Sequence, residues 1–199
     1  MTRRSYAKAL DEALRPAGFH RSGDDWIRIR GDMWECVNRY SSWLGGVTLT
    51  LYAKDLETEK LFLEIFKSRG AIQMPPTSTG IGALIDGGSR WWKKDEPDGD
   101  SSIAETVVRY GLPWFDRVRT LEEQAENWFA RKTALTARGY FGPGLIGLAL
   151  TLYRMGNLQE ACDVLRKPVP KTAIKASVDT VACVREWLGC DRVADAGGV

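Results

Sequence analysis

Three observations predict an α+β fold. Period-two alternation runs through residues 26–53 with short connections, an apolar helical stripe precedes it, and helical periodicity fills the second half of the chain. In the stripe, Tyr6, Ala9, Leu10, Ala13 and Leu14 fall at i, i+3, i+4, i+7 and i+8, and Pro16 and Gly18 end it. In the stretch DWIRIR, Ile27 and Ile29 alternate with Trp26, Arg28 and Arg30, the pattern of a half-buried strand. Gly31-Asp32 turns into a second strand, MWECVNRYS, and Gly45-Gly46 into a third, VTLTLYA. The three form an antiparallel β meander whose apolar face the first helix can cover.

A helix follows over 57–69, with Leu61, Phe62, Ile65 and Phe66 on one side, and Pro75-Pro76 marks 73–80 as loop. IGALIDGGSRWWKK then has the form of a hairpin, with strands at Ile81–Ile85 and Arg90–Lys93 around Asp86-Gly87-Gly88. The turn-rich stretch 93–100 is a connector. Ser102 with Glu105, and Thr120 with Glu123, have capping-box spacing and open helices over 102–110 and 120–137. The second of these carries Leu121, Ala125, Trp128 and Leu135 inward. Helices over 144–155 and 158–167 are separated by Gly156-Asn157. A last one over 174–188 presents Val178, Val181, Ala182, Arg185 and Leu188. The expected organisation is an α+β sheet region, 1–99, and an all-α helical region, 100–199, packed as one compact unit.

A chain of 199 residues hides about 70% of its unfolded surface on folding, enough to dispense with disulfides and metal. Residues 1–99 carry 15 basic and 14 acidic side chains and residues 100–199 carry 13 and 12, so neither half has a bulk field to steer a polyanion. The four-cation stretch 166–175 reads as a helix end, where Arg166 and Lys167 offset the dipole before Pro168. Cys36, Cys162, Cys183 and Cys190 have no CxxC spacing and read as small buried hydrophobes, with Cys190, nearer the end of the chain, open to exposure. Twin arginines at the N-terminus lack an apolar segment behind them, and no apolar run reaches a membrane span. A soluble cytoplasmic protein is expected.

Catalytic patterns are thin. Gly142–Gly147 matches GxGxxG, but helical residues precede it; Pro143 at a helix start and Gly147 at a close helix contact explain the match. The one histidine, His20, sits near Ser22 with no third group to orient it. Asp24, Asp25, Asp32 and Glu35, or Asp95, Asp98 and Asp100, read as turn acids. No metal or cofactor is expected. The suggestive feature is the interleaving of indoles and guanidinium groups, since six of eight tryptophans precede residue 115. Trp26, Arg28 and Arg30 share a strand face, with Arg39, Trp43, Trp91, Trp92 and Lys93 as neighbours. Such a face can stack planar groups and pair with anions, or its indoles can fill space between sheet and helices. The candidate ligand-binding set is Trp26, Arg28, Arg30, Arg39, Trp91 and Trp92.

LRPAGFHRSGDDWIRIRGDMWECVN at 14–38, IGALIDGGSRWW at 81–92 and YGLPWFDRV at 110–118 together resemble a bacterial domain-of-unknown-function family, family 4304, over roughly residues 5–130. The resemblance implies the helix–meander–helix layout and a bacterial source, and brings no activity. LIGLALTLYRMGNLQEACDVL at 145–165 is similar to one tetratricopeptide helix pair, with Ala149 at the close approach and Gly156 at the turn. Leu145 stands where that repeat usually has tryptophan, and no second copy follows. The expected role is non-enzymatic binding of a protein or small anionic partner. Single-stranded nucleic-acid binding through the same face, against which the even charge balance argues, and a carboxylate-dependent hydrolase are the alternatives.

Overall fold

The computed structural model describes residues 3–66, 74, 76–93, 96–136, 143–166 and 175–191. The chain divides into two compact units, Met1–Lys54 with Ser78–Val118, and Asp55–Thr77 with Arg119–Val199. The helices within 99–117 thus belong with the sheet, and the helix over 56–65 belongs with the C-terminal helices.

The first unit is the α+β part. Helix α1 (Arg3–Leu14) ends through a 3-10 turn (Arg15–Ala17) at Gly18, whose φ of 86° lies where only glycine is unstrained. Strands β1 (His20–Ser22), β2 (Asp25–Arg30), β3 (Met33–Ser41), β4 (Gly46–Asp55) and β5 (Thr77–Gly80) lie in that order across an antiparallel six-stranded sheet, and β6 (Trp92–Lys93) also pairs with β4. The meander is as expected. The two-residue turn Gly31-Asp32 sets Arg30 opposite Met33, Arg28 opposite Glu35 and Trp26 opposite Val37. Along β4, Val47, Leu49, Leu51 and Ala53 point inward and alternate with half-buried neighbours. They share a core with Tyr6, Leu10, Leu14, Trp26, Trp92, Ile103, Trp114 and Phe115.

Two expectations fail here. Thr77–Gly80 is a strand rather than loop, with Thr77 and Ser78 buried despite the lack of apolar alternation. Ile81–Ile85 is a short helix, α3, and not the first arm of a hairpin. Its apolar residues Ile81, Leu84 and Ile85 lie at i, i+3 and i+4, a helical spacing. Gly82 holds α3 against the returning chain: a Cβ there would sit 2.3 Å from the Arg90 nitrogen.

Helix α4 (Gly99–Thr106) starts three residues before the predicted capping box. The Ser102 hydroxyl instead accepts the Trp92 indole N–H at 3.1 Å. Helix α5 (Leu112–Arg117) follows a π-helical segment, Val107–Gly111. Pro113 has no N–H for the Arg109 carbonyl, and the register widens so that the Leu112 N–H reaches Val107 O.

The second unit is helical: α2 (Leu56–Ile65), α6 (Leu121–Thr136), α7 (Pro143–Arg154), α8 (Leu158–Leu165) and α9 (Lys175–Leu188). The Asp55 carboxylate caps α2 by accepting the Thr58 N–H at 2.7 Å and also accepts from Arg154 of α7, tying the two helices. Thr120 caps α6 as its spacing predicts, its hydroxyl accepting the Glu123 N–H. Gly147 packs on Trp128, where a Cβ would lie 2.7 Å from the indole. That contact accounts for Gly147, the last glycine of the GxGxxG match. On α9, among the described side chains, Val181, Val184 and Leu188 are buried while Ala182 is exposed, so the inner stripe departs from the predicted one there; Val178 lies outside them.

Cysteine pairing departs from the sequence reading. Cys162 on α8 and Cys190 beyond α9 form a disulfide, with both residues fully buried. Arg166, the C-cap of α8, donates to the Cys190 carbonyl and to Asp163. The remaining cations of the basic stretch lie outside the described residues or beyond the described side chains.

Candidate functional site

The strand parity decides the fate of the predicted Trp/Arg face. Because Arg30, Arg28 and Trp26 pair with Met33, Glu35 and Val37, they lie on the side that Val47, Leu49 and Leu51 also face. That is the core side. Trp26 and Trp92 are 0% exposed, Arg28 and Arg39 are buried and Arg30 is half-buried, whereas Ile29 on the opposite face is 66% exposed. The tryptophans at 26 and 92 are therefore interior filler, the second of the two roles the sequence left open to them.

The guanidinium groups on this side are used by the protein's own carboxylates. Glu35, fully buried, accepts from Arg28 Nε at 2.5 Å and from Arg30 Nη2 at 2.9 Å. Arg28 Nη1 donates to the Ala17 carbonyl at 2.6 Å, and its guanidinium lies 4.3 Å from the Phe19 ring centroid. Arg30 Nη1 reaches Asp116 at 2.6 Å. Burial works against the Arg30 charge, but the hydrogen bonds to Asp116 and Glu35 outweigh it and raise its pKa above the ordinary value. Arg39 pairs with Asp24 at the other end of the strands. Of the predicted acids, then, Asp24 and Glu35 neutralise arginines, and Asp25 accepts from Asn38 at 2.6 Å. His20 lies exposed on β1 opposite Ile27. Among the described residues, no group of three His, Cys, Asp or Glu comes together to hold a metal.

Trp91, the sixth member of the predicted set, is on the other face, 40% exposed. Its indole lies over Gly46, where a Cβ would meet it at 3.1 Å, and stands edge-on to Tyr40 with centroids 6.0 Å apart. The turn joining β3 to β4 is at the same end of the sheet. Its Gly45 N–H donates to Ser42 O at 3.0 Å, Ser42 N–H to Gly46 O at 2.8 Å, and Leu44 N–H to the Ser42 hydroxyl at 3.1 Å. Gly45, with φ of 87°, completes the tight turn. Trp43 and Leu44 occupy its two central positions, 90% and 75% exposed. Turn centres usually hold small polar residues. Here the sequence spends two large apolar side chains on a rigid tip with no core to fill.

Farther along the same face, Trp34 lies opposite Ile29 and receives the Lys54 ammonium 5.2 Å from its ring centroid. Cys36 is buried on this face among Ile27 and Asp25. Burial first, then Asp25, pushes its thiol up to about 12, so it is protonated and unreactive at neutral pH. At the turn end of the sheet, Trp43 and Trp91 were legible in the sequence, and Tyr40 and Leu44 were not. The tight turn was legible at Gly45-Gly46, and its apolar centre was the signal that could have found them.

The family model "Domain of unknown function (DUF4304)" matches residues 10–117, more than half of the chain. The chain belongs to this family. The DUF4304 match takes in most of the first unit: the sheet, the buried Arg28–Glu35–Arg30 cluster and the Trp43 turn. No curated protein and no solved structure matches the chain. Among the described residues no helix is long and apolar enough to cross a membrane.

Proposed function

We propose that this DUF4304 protein is a non-enzymatic interaction protein whose contact surface is the aromatic end of the sheet: Tyr40, Trp43, Leu44 and Trp91. The observation that carries the reading is the rigid turn that holds an almost fully exposed Trp43 beside Leu44. Exposed aromatic anchors on a preorganised backbone are what protein recognition uses, because little conformational entropy is lost on contact. A protein partner is favoured over a small anion, since Arg28, Arg30 and Arg39 already face Glu35, Asp116 and Asp24.

Affinity capture with the whole chain tests this against the Trp43→Ser, Leu44→Ser double variant. A partner retained by the parent and lost by the variant, at unchanged melting temperature, supports the reading; equal recovery overturns it.

A cytoplasmic setting, expected from the sequence, requires that Cys162 and Cys190 be held as thiols there, because reducing compartments do not keep such bonds. Acid quenching of cells followed by alkylation reads the compartment directly. Two blocked thiols at Cys162 and Cys190 place the protein in the cytoplasm, and an intact disulfide places it in an oxidising space.

A further inference from the structure

We infer that the Trp43 turn is the contact between two copies of this chain, packed about a two-fold axis. The inference rests on the reading of this end of the sheet as a contact surface and names what covers it.

Two physical features select a second copy. The first is charge. Residues 40–53, YSSWLGGVTLTLYA, contain no Asp, Glu, Lys, Arg or His, and so no side chain charged at neutral pH. In a two-fold contact the groups near the axis meet their own copies, so any charge there meets its like. A charge-free patch has no such repulsion. Its polar side chains are hydroxyls, at Tyr40, Ser41, Ser42, Thr48, Thr50 and Tyr52. A hydroxyl both donates and accepts, so an exposed one such as that of Tyr40 can pair with the same group of the other copy. Lys93, opposite Gly46 on β6, supplies a cation at the rim, where interfaces are polar.

The second feature is area. Large side chains bury about 150–250 Å² each. With Trp43 90%, Leu44 75%, Tyr40 56% and Trp91 40% exposed, roughly 500 Å² per copy is available. Two copies then bury at most about 1,000 Å², below the range of stable specific interfaces and at the threshold for a weak, transient one. The dimer is therefore a weak and reversible one, with dissociation in the micromolar range, held chiefly by the two indoles of Trp43.

Sedimentation equilibrium on the full chain, from about 1 to 500 µM, tests the proposal. The parent is expected to pass from monomer to dimer within that range. The Trp43→Ser, Leu44→Ser double variant should raise the dissociation constant about tenfold or more. Leu44→Lys, which keeps the indole and sets like charges face to face, should weaken the dimer as well, so the outcome does not depend on one variant folding.

A parent that stays monomeric throughout overturns the proposal, as does a dimer indifferent to both variants. A monomeric parent that binds neutral phosphatidylcholine vesicles through Trp43 also overturns it. If the parent is monomeric but partner capture still requires Trp43, the second copy is refuted and the contact surface stands. If capture is indifferent too, both readings fall.

Discussion

The two faces of the β2–β4 sheet hold the same kinds of side chain and treat them in opposite ways. On the inner face Trp26, Arg28 and Glu35 are sealed beneath helices, each arginine matched to a carboxylate. On the outer face Trp91 and Tyr40 lean on one another in the open, and Trp43 projects from a turn that needs no side chain of that size. The difference teaches that a tryptophan beside an arginine says little about ligand binding until the parity of its strand is known. An indole that packs in the core stabilises the fold, and one held in water by a rigid turn is available to a partner.

The sharpest way to break the contrast is at the inner face. Trp26→Ala should lower stability by about 3–5 kcal/mol, since it empties a fully buried indole site. Urea unfolding measures it, and a loss below about 1 kcal/mol would show the site to be surface-like. Glu35→Gln should cost about 3 kcal/mol, because it leaves Arg28 buried without its counter-charge; the same unfolding assay reads it.

Smaller effects sharpen the outer face. The raised Cys36 pKa means that the folded state keeps a proton which the unfolded thiol loses above its ordinary value near 9. Folding stability that is fully present below that pH should therefore fall as pH rises towards about 12. Cys36→Ala should flatten that alkaline slope in a series of melting temperatures. Least of all, Trp43→Ser should change stability by no more than about 0.5 kcal/mol, as exposed positions do. A larger drop on calorimetry would mean that the turn relies on its indole.

Much of the fold was legible because local rules and burial agreed. The β4 alternation, the Thr120 cap and the Gly156 turn all stand where periodicity and turn chemistry put them. The failures have a common cause in contacts distant along the chain. Ile81–Ile85 is too short for its period to be decisive, and its helix is fixed by the approach of Gly82 to Arg90. The Cys162–Cys190 pair joins positions 28 apart with no spacing to announce it.

The candidate site suffered from one parity choice. Ile27 and Ile29 are more apolar than Arg28 and Arg30, and hydrophobicity alone turns them inward. Pairing through Gly31-Asp32 turns them outward instead, by matching Trp26 to Val37 and Arg30 to Met33. Met33 and Val37 carried that signal in the neighbouring strand.

A carboxylate shared by two arginines has an evolutionary corollary. Position 35 cannot drift to a neutral residue while 28 and 30 remain cationic, because the first step strands a charge away from water. These three sites should be inherited as a block, and a descendant lacking the acid should show an apolar or shortened residue at 28 as well.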